Sequence, residues 1–260
     1  KDNQLAFRSL VARIYEFRAV LKSESLDSGG ITIAAQHTLA ASYMPAFLER
    51  LRQLDPEQSF RIRSENRADS VAMLMRGEAE ILITYDTPQS HCNVPGQLAL
   101  RHVLGQDDLM LVACPALHKE LSKIPDGSRV PMLCYPPDSF FGQAVRAEAL
   151  PDLMRRQQVV VRCVSEFAMG LRELALIGQG AAWLPASLIQ GDLARGTLLP
   201  LGRLGHSVRM DIVVFFAVLG ALITLPAALG VLGPRINSLR IRRNVGRAHE
   251  GRRPRQAIAG

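Results

Sequence analysis

Hydroxyl side chains stand at three points where a predicted strand gives way to a predicted helix: Thr38 or Ser42 at the first, Ser139 at the second and Ser165 at the third. The first turn of a helix offers backbone N–H groups without a partner inside the helix, together with a partial positive charge. Both suit a carboxylate or another anion. Each hydroxyl taken alone would equally well cap its helix, a contribution of about 1 kcal/mol. The set of three favours a site for a small anion.

Residues beside these hydroxyls complete the candidate site. His37 follows the first predicted strand, where a neutral imidazole can donate to a ligand or titrate near neutral pH. A surface histidine is the alternative. Tyr85 ends the third predicted strand at the expected mouth of the site, and we expect Asp86 after it to lie in a solvated loop. The predicted ligand-binding residues are Gln36, His37, Thr38, Tyr85, Ser139, Phe140, Ser165 and Glu166.

Motifs of the common enzyme classes are absent from the sequence. It has no G-x-S-x-G, no P-loop, no H-E-x-x-H and no G-x-G-x-x-G after the first predicted strand. Gly178 and Gly180 follow a predicted helix, which indicates a helix-to-strand turn rather than a dinucleotide site. We therefore expect no catalytic residues.

The cysteines do not form a metal site by spacing. Zinc sites need closely spaced ligand pairs, and the four cysteines contain no C-x-x-C pair. They are Cys92, Cys114, Cys134 and Cys163. His91 and His102 lie near Cys92 in the sequence, but nothing else at ligand spacing accompanies them. We expect no bound metal, and reduced, mostly buried thiols of a cytosolic protein.

The elements that position the site follow from the hydrophobic pattern. Short apolar runs alternate with amphipathic stretches, which is typical of parallel α/β winding. Predicted strands lie near 31–35, 60–63, 81–83, 109–113, 131–135, 159–164, 181–184 and 210–217, and predicted helices near 39–54, 70–77, 139–150 and 166–177. Two such blocks predict two lobes, joined near 104–113 and 197–201. Ligands of open α/β sheets bind at the carboxyl ends of the strands, so the site is expected in the cleft between the lobes.

The start of the chain carries a different pattern. Its apolar residues are spaced three and four apart, which predicts a helix that pairs with a second copy. They are Phe7, Leu10, Ile14, Phe17 and Leu21. A helix that packs on the core of its own domain is the alternative. Residues 26–30 predict a hinge after this helix.

The net charge of +7 comes from the end of the chain. Eight of the 31 basic residues but only one of the 24 acidic ones follow position 233, which leaves 23 of each before it. A neutral body is a poor electrostatic match for DNA. The uncharged run 212–233 is long enough to span a bilayer. Beyond its first residues it predicts a divergent helix on the first lobe, a membrane anchor or a shifted reading frame. We favour the last, followed by a disordered tail.

Four sequence segments in order resemble one family. The first is Ile31–Ala35 with Phe47–Arg52, and the others are Leu74–Ile83, Leu109–Pro115 and Ile177–Pro185. Together they are similar to the effector-binding domain of LysR-type transcription regulators over residues 31–201, and residues 5–28 resemble that family's linker helix. Residues 34–39 and 178–185 are most similar to its hypochlorite-responsive subgroup. The methionines that this subgroup is thought to oxidise correspond here to Leu54, Phe141 and Phe167, which argues against methionine-based sensing.

The resemblance implies an α/β fold with two Rossmann-like lobes of the type 2 periplasmic-binding-protein architecture and an N-terminal linker helix. It implies a bacterial, cytoplasmic regulator, dimeric or tetrameric, that closes on a small effector without a cofactor. DNA would be bound through an N-terminal helix-turn-helix that we expect to be missing from this chain, and membrane association is not expected. The expected domains are a dimerisation helix (1–28), an effector-binding domain (29–217) and an atypical segment (218–260). Within 29–217, lobe 1 spans 31–104 and 202–217 and lobe 2 spans 105–201.

Two other classes share the two-lobed architecture. A solute-binding protein of a transporter is the closest alternative, but the sequence shows no signal peptide and starts with the heptad pattern. A two-lobed enzyme such as a dehydratase is the third, and it lacks the residues for acid–base catalysis.

Overall fold

The computed structural model describes residues 30–53, 56, 59–95 and 99–217. The strands are β1 Ile31–Gln36, β2 Phe60–Glu65, β3 Ile81–Asp86, β4 Ala99–Ala113, β5 Arg129–Cys134, β6 Gln158–Val164, β7 Ala181–Pro185, β8 Leu199–Pro200 and β9 Val208–Ala217. The helices are α1 His37–Ser42, α2 Met44–Arg52, α3 Arg67–Met75, α4 Pro115–Leu121, α5 Phe140–Glu148, α6 Leu150–Arg156, α7 Ala168–Leu176 and α8 Ala186–Arg195. The predicted dimerisation helix and the segment 218–260 lie outside the described residues.

The strands form one sheet with the order β2-β1-β3-β9-β4-β7-β5-β6, and β8 pairs with β4. β1 runs parallel to β2 and β3, and β5 runs parallel to β6 and β7. Each parallel block is one lobe, and the antiparallel pair of β4 and β9 joins them. The predicted two-lobed α/β architecture is confirmed.

The hinge between the lobes consists of two long strands. β4 and β9 pair from Ala99 opposite Ala217 to Leu109 opposite Val208, with a register shift after Val103. The second crossing is therefore β9, later in the chain than the segment 197–201 that we expected. The loop before β9 stays on the second lobe, because Gly205 packs closely against the ring of Trp183. Continuous pairing satisfies the backbone hydrogen bonds through the crossing.

Burial follows the position of each strand in the sheet. β3 is buried at all six positions, as predicted for a parallel strand that is covered on both faces. We predicted that β2 would be half-buried, but most of its residues are exposed. This strand lies at the edge of the sheet, and Ile62 is 39% exposed.

Local chemistry explains where the helices begin and end. α3 begins at Arg67, before the predicted Ser70, because Asn66 Oδ1 accepts the Asp69 amide at 2.9 Å. A proline at the start of α2 divides the first predicted helix into α1 and α2. α4, α6 and α8 were not predicted. No helix among the described residues is long and apolar enough to cross a membrane.

Candidate functional site

A cleft of about 650 Å³ lies between the lobes at the carboxyl ends of their strands. Six of the eight predicted ligand-binding residues line it: Gln36, His37, Thr38, Ser139, Phe140 and Glu166. Tyr85 and Ser165 are not among its lining residues. Most of the predicted residues therefore border one inter-lobe cleft, while the roles of individual residues differ from the prediction.

Gln36 presents hydrogen-bond donors to the cleft in a fixed orientation. Its side-chain oxygen accepts the Thr84 hydroxyl and the Tyr85 backbone amide, each at 2.7 Å. A backbone amide can only donate, so the oxygen of Gln36 must face it and the NH₂ group must face the other way. Gln36 is 7% exposed, and its NH₂ group has no acceptor among the described residues. The cleft wall thus offers two oriented donors to a ligand.

The second lobe contributes the start of α5. Ser139 caps this helix by accepting the Gly142 amide at 3.1 Å, so the capping alternative holds for Ser139 even though it lines the cleft. The amides of Phe140 and Phe141 have no partner within the helix because they lie in its first turn. Both residues line the cleft. Donors from α5 and from Gln36 therefore border the same space.

Arg67, in the first turn of α3, is a cleft residue that we did not predict. Its guanidinium donates to the backbone oxygen of Ser90 at 2.8 Å and lies 4.9 Å from the ring centre of Phe140 on the other lobe. Its charge faces Asp86 at 3.9 Å. The sequence did contain a signal, since Asn66 and Asp69 have capping-box spacing directly after β2.

Asp86 does not lie in a solvated loop, so that prediction is wrong. It is 2% exposed, accepts the Cys92 amide at 2.8 Å and pairs with Arg101 at 2.7 Å. Arg101 comes from β4, which becomes a neighbour only through the tertiary fold. The buried carboxylate holds the loop after β3 in place beneath one end of the cleft.

Tyr85 lies under the cleft floor rather than at its mouth. It is fully buried, and its ring stacks on Phe140 with centroids 6.1 Å apart. Its hydroxyl donates to Asp107 Oδ2 at 2.8 Å. Burial, and then the charge of Asp107, raise the pKa of Tyr85 well above its usual value, so the phenol remains a donor.

Asp107 is the centre of a polar group that we call the hinge cluster, formed by Ser42, Tyr85, Asp107 and Ser187. Ser187 donates to Asp107 from its hydroxyl at 2.6 Å and from its amide at 3.1 Å. Ser42 of the first lobe lies 3.0 Å from Ser187 of the second. Burial raises the pKa of Asp107, and the hydrogen bonds from Ser187 and Tyr85 oppose that shift. The cluster connects both lobes through β4.

The remaining predicted residues have different surroundings. His37 Nδ1 is 2.8 Å from Ser64 Oγ, and its ring centre is 5.1 Å from that of Phe167 on the other lobe. Thr38 is buried inside α1 and does not cap it. Ser165 accepts the Phe167 amide at 3.2 Å in the turn before α7, so its predicted capping role is not observed. α7 begins two residues later than predicted, which leaves Glu166 on the cleft wall.

Two other expectations concern the cysteines and the turns. All four cysteines are free thiols; Cys92 and Cys114 are buried, and the other two are partly exposed. Burial raises the pKa of Cys92, which lines the cleft as a thiol. No group of three metal-ligating side chains occurs among the described residues. Gly178 has a φ of 79°, as the predicted helix-to-strand turn requires.

Comparisons with known proteins agree on one family. A model described as the LysR substrate binding domain matches residues 24–216. The HTH-type transcriptional regulator YjiE of Escherichia coli K12 is 25% identical over 176 residues, which is 66% of this chain and 54% of that protein. The HTH domain-truncated transcriptional regulator QseD of Escherichia coli O157:H7 is also 25% identical over 176 residues, 66% of this chain and 68% of that protein.

A solved structure shows the same fold. The bromide-bound regulatory domain of HypT from Salmonella typhimurium has a TM-score of 0.64 at 18% identity, and the match covers 83% of this chain and 100% of that one. The chain spans about half the length of the first curated relative.

Proposed function

Since the chain belongs to the LysR substrate-binding domain family, we propose that it is the effector-sensing region of a LysR-type transcription regulator. Residues 29–217 would be the sensing domain, with the inter-lobe cleft as its site. A ligand that contacts both lobes binds one inter-lobe angle better than another and thereby shifts their equilibrium. This population shift, without catalysis, would be the signal.

The rest of the regulator is part of the same proposal. Residues 1–28 would pair two copies through the apolar seam predicted in the sequence, and DNA would be contacted through a helix-turn-helix domain in the cytoplasm. The two curated relatives are named as an HTH-type transcriptional regulator and an HTH domain-truncated transcriptional regulator, which supports this role. The family match favours this role over that of a solute-binding protein.

The observation that carries the proposed site is the fixed amide of Gln36. Its NH₂ group, the first amides of α5 and the Arg67 guanidinium all donate, and they come from both lobes. Such a set selects a ligand with an anionic or strongly accepting group.

Gln36→Glu tests the site with little change in shape. One carboxylate oxygen can still accept from Thr84 and Tyr85, while the other replaces the two donors that face the cleft. We expect binding of small carboxylates, screened by thermal shift and measured by calorimetry, to weaken at least about tenfold, since each lost hydrogen bond to a charge is worth about 1.5–3 kcal/mol.

Gln53→Glu is the matched control, because it adds the same charge at the exposed end of α2. Carboxylate affinity should be unchanged in this variant. Equal affinity of the Gln36→Glu protein and the unmodified chain would show that the proposed site is in the wrong place.

A further inference from the structure

The cleft has an acidic mouth as well as a donor-lined interior. On the basis of the proposed function, we infer that the effector is a small zwitterion, with an acceptor group held at Gln36 and an ammonium or guanidinium group held between Glu65 and Glu166. Such a ligand keeps the accepting end expected of a small anion and adds a positively charged end.

Glu65 and Glu166 face the cleft from different lobes. Glu65 ends β2 and is the register partner of Gln36 on β1. Glu166 directly precedes Phe167, whose ring contacts His37, the residue after Gln36. The two carboxylates therefore flank the His37 side of the cleft. Asp138, just before α5, adds a third carboxylate to its lining.

Among the described residues that line the cleft, no lysine or arginine is free to balance these carboxylates. Arg67 is the only lysine or arginine among the cleft-lining residues, and it is held by Ser90, Asp86 and the face of Phe140. Glu65 has one distant partner, Arg63 at 3.7 Å, with both side chains partly exposed. An exposed aromatic ring beside a carboxylate suits an organic cation, and Phe167 is 52% exposed next to Glu166.

The carboxylates alone would not define a ligand site. The independent observation is Gln36, which is more than nine-tenths buried, fixed by two donors and left with an unpartnered NH₂ group that borders the same cleft. The Gln36 NH₂ group needs a ligand atom that accepts a hydrogen bond. Glu65 and Glu166 need a positively charged ligand group that donates one. Like charges on opposing lobes also disfavour closure, so a cation between them would favour the closed state.

Four five-carbon probes that differ only in their end groups test this inference: δ-aminovalerate carries both charges, glutarate carries two carboxylates, valerate carries one, and cadaverine carries two amines. L-lysine is a second bifunctional probe. We expect a bifunctional probe to raise the melting temperature of the full chain most. Glu166→Gln should weaken the binding of a bifunctional probe about tenfold, because the loss of one charged contact worth about 1.4 kcal/mol changes the affinity by that factor. Glu120→Gln, an exposed change on α4, should not.

Two results would overturn the inference. One is that glutarate or valerate stabilises the chain at least as well as both bifunctional probes; the other is that Glu166→Gln leaves their affinity unchanged. If carboxylates bind and depend on Gln36 while the amine adds nothing, only this inference fails. If Gln36→Glu leaves the carboxylate affinity unchanged, the proposed site itself is wrong.

Discussion

At the scale of single residues, two buried polar side chains decide how the cleft is built. Gln36 is neutral, and its partners fix which atom faces a ligand. Asp107 sits beneath the cleft and accepts from Tyr85, Ser187 and its own neighbour's amide. The first residue offers a binding group, whereas the second couples the lobes. Only Gln36 was predicted.

Asp107 should give the fold a measurable pH dependence. Because its pKa is raised in the folded protein, folding takes up a proton in a window that begins near the ordinary aspartate value of about 3.9. The free energy of unfolding contributed by this group therefore falls as pH rises through that window. Asp107→Asn removes this slope, so the unmodified chain should lose stability relative to the variant as pH rises, in urea unfolding at several pH values.

Asp108→Asn is a suitable control, since this neighbouring carboxylate is partly exposed and only 3.4 Å from Arg209. It should leave the slope in place. The opposite result would be that the unmodified chain gains stability relative to Asp107→Asn as pH rises. It would mean that the hydrogen bonds to Asp107 lower its pKa more than burial raises it.

At the scale of elements, the start of α5 depends on one glycine. A Cβ atom on Gly142 would lie 1.9 Å from the backbone oxygen of Pro136, a contact that the loop cannot relieve without moving. The missing side chain lets Ser139 and Pro136 pack onto the first turn of the helix. The absence of a side chain at Gly142 therefore allows the first turn of α5 to lie where its backbone amides border the cleft.

Gly142→Ala should destabilise the chain by about 1–3 kcal/mol, the usual cost of overpacking, and should weaken carboxylate binding. Gly170→Ala is the matched change in α7, where the nearest atom lies 4.0 Å from the added carbon. It should stabilise the chain by up to about 1 kcal/mol, because alanine favours the helix. Equal effects of the two changes in denaturant unfolding would contradict this account.

At the scale of the whole molecule, we propose that two copies pair through residues 1–28. The seam formed by Ile14, Phe17 and their neighbours lies outside the described residues and stays a prediction. Replacing Ile14 and Phe17 with Glu would place charges in that seam. We expect a shift toward monomer in sedimentation velocity.

Arg13→Glu and Arg18→Glu reverse charges beside the same seam without entering it, so the oligomer should persist in that double variant. If the oligomer also survives Glu at positions 14 and 17, the helix is not its main interface, and pairing through another surface would replace this part of the proposal.

The sequence by itself determined the order of most elements and the side of the sheet on which the site lies. Periodicity is local, and the residues that follow parallel strands must reach the carboxyl edge. This is why Gln36, His37 and Ser139 were predicted at the cleft. The two-lobed fold followed from two successive blocks of alternating strands and helices.

Only the tertiary structure decided which side chains are free to bind. Tyr85 stacks against Phe140 from the other lobe, and the buried Asp86 is paired with Arg101 from β4. The acidic mouth arises because Glu65 and Glu166, 101 positions apart in the sequence, line one cleft. Contacts between lobes depend on long-range strand pairing through β4 and β9, and no local pattern encodes that pairing.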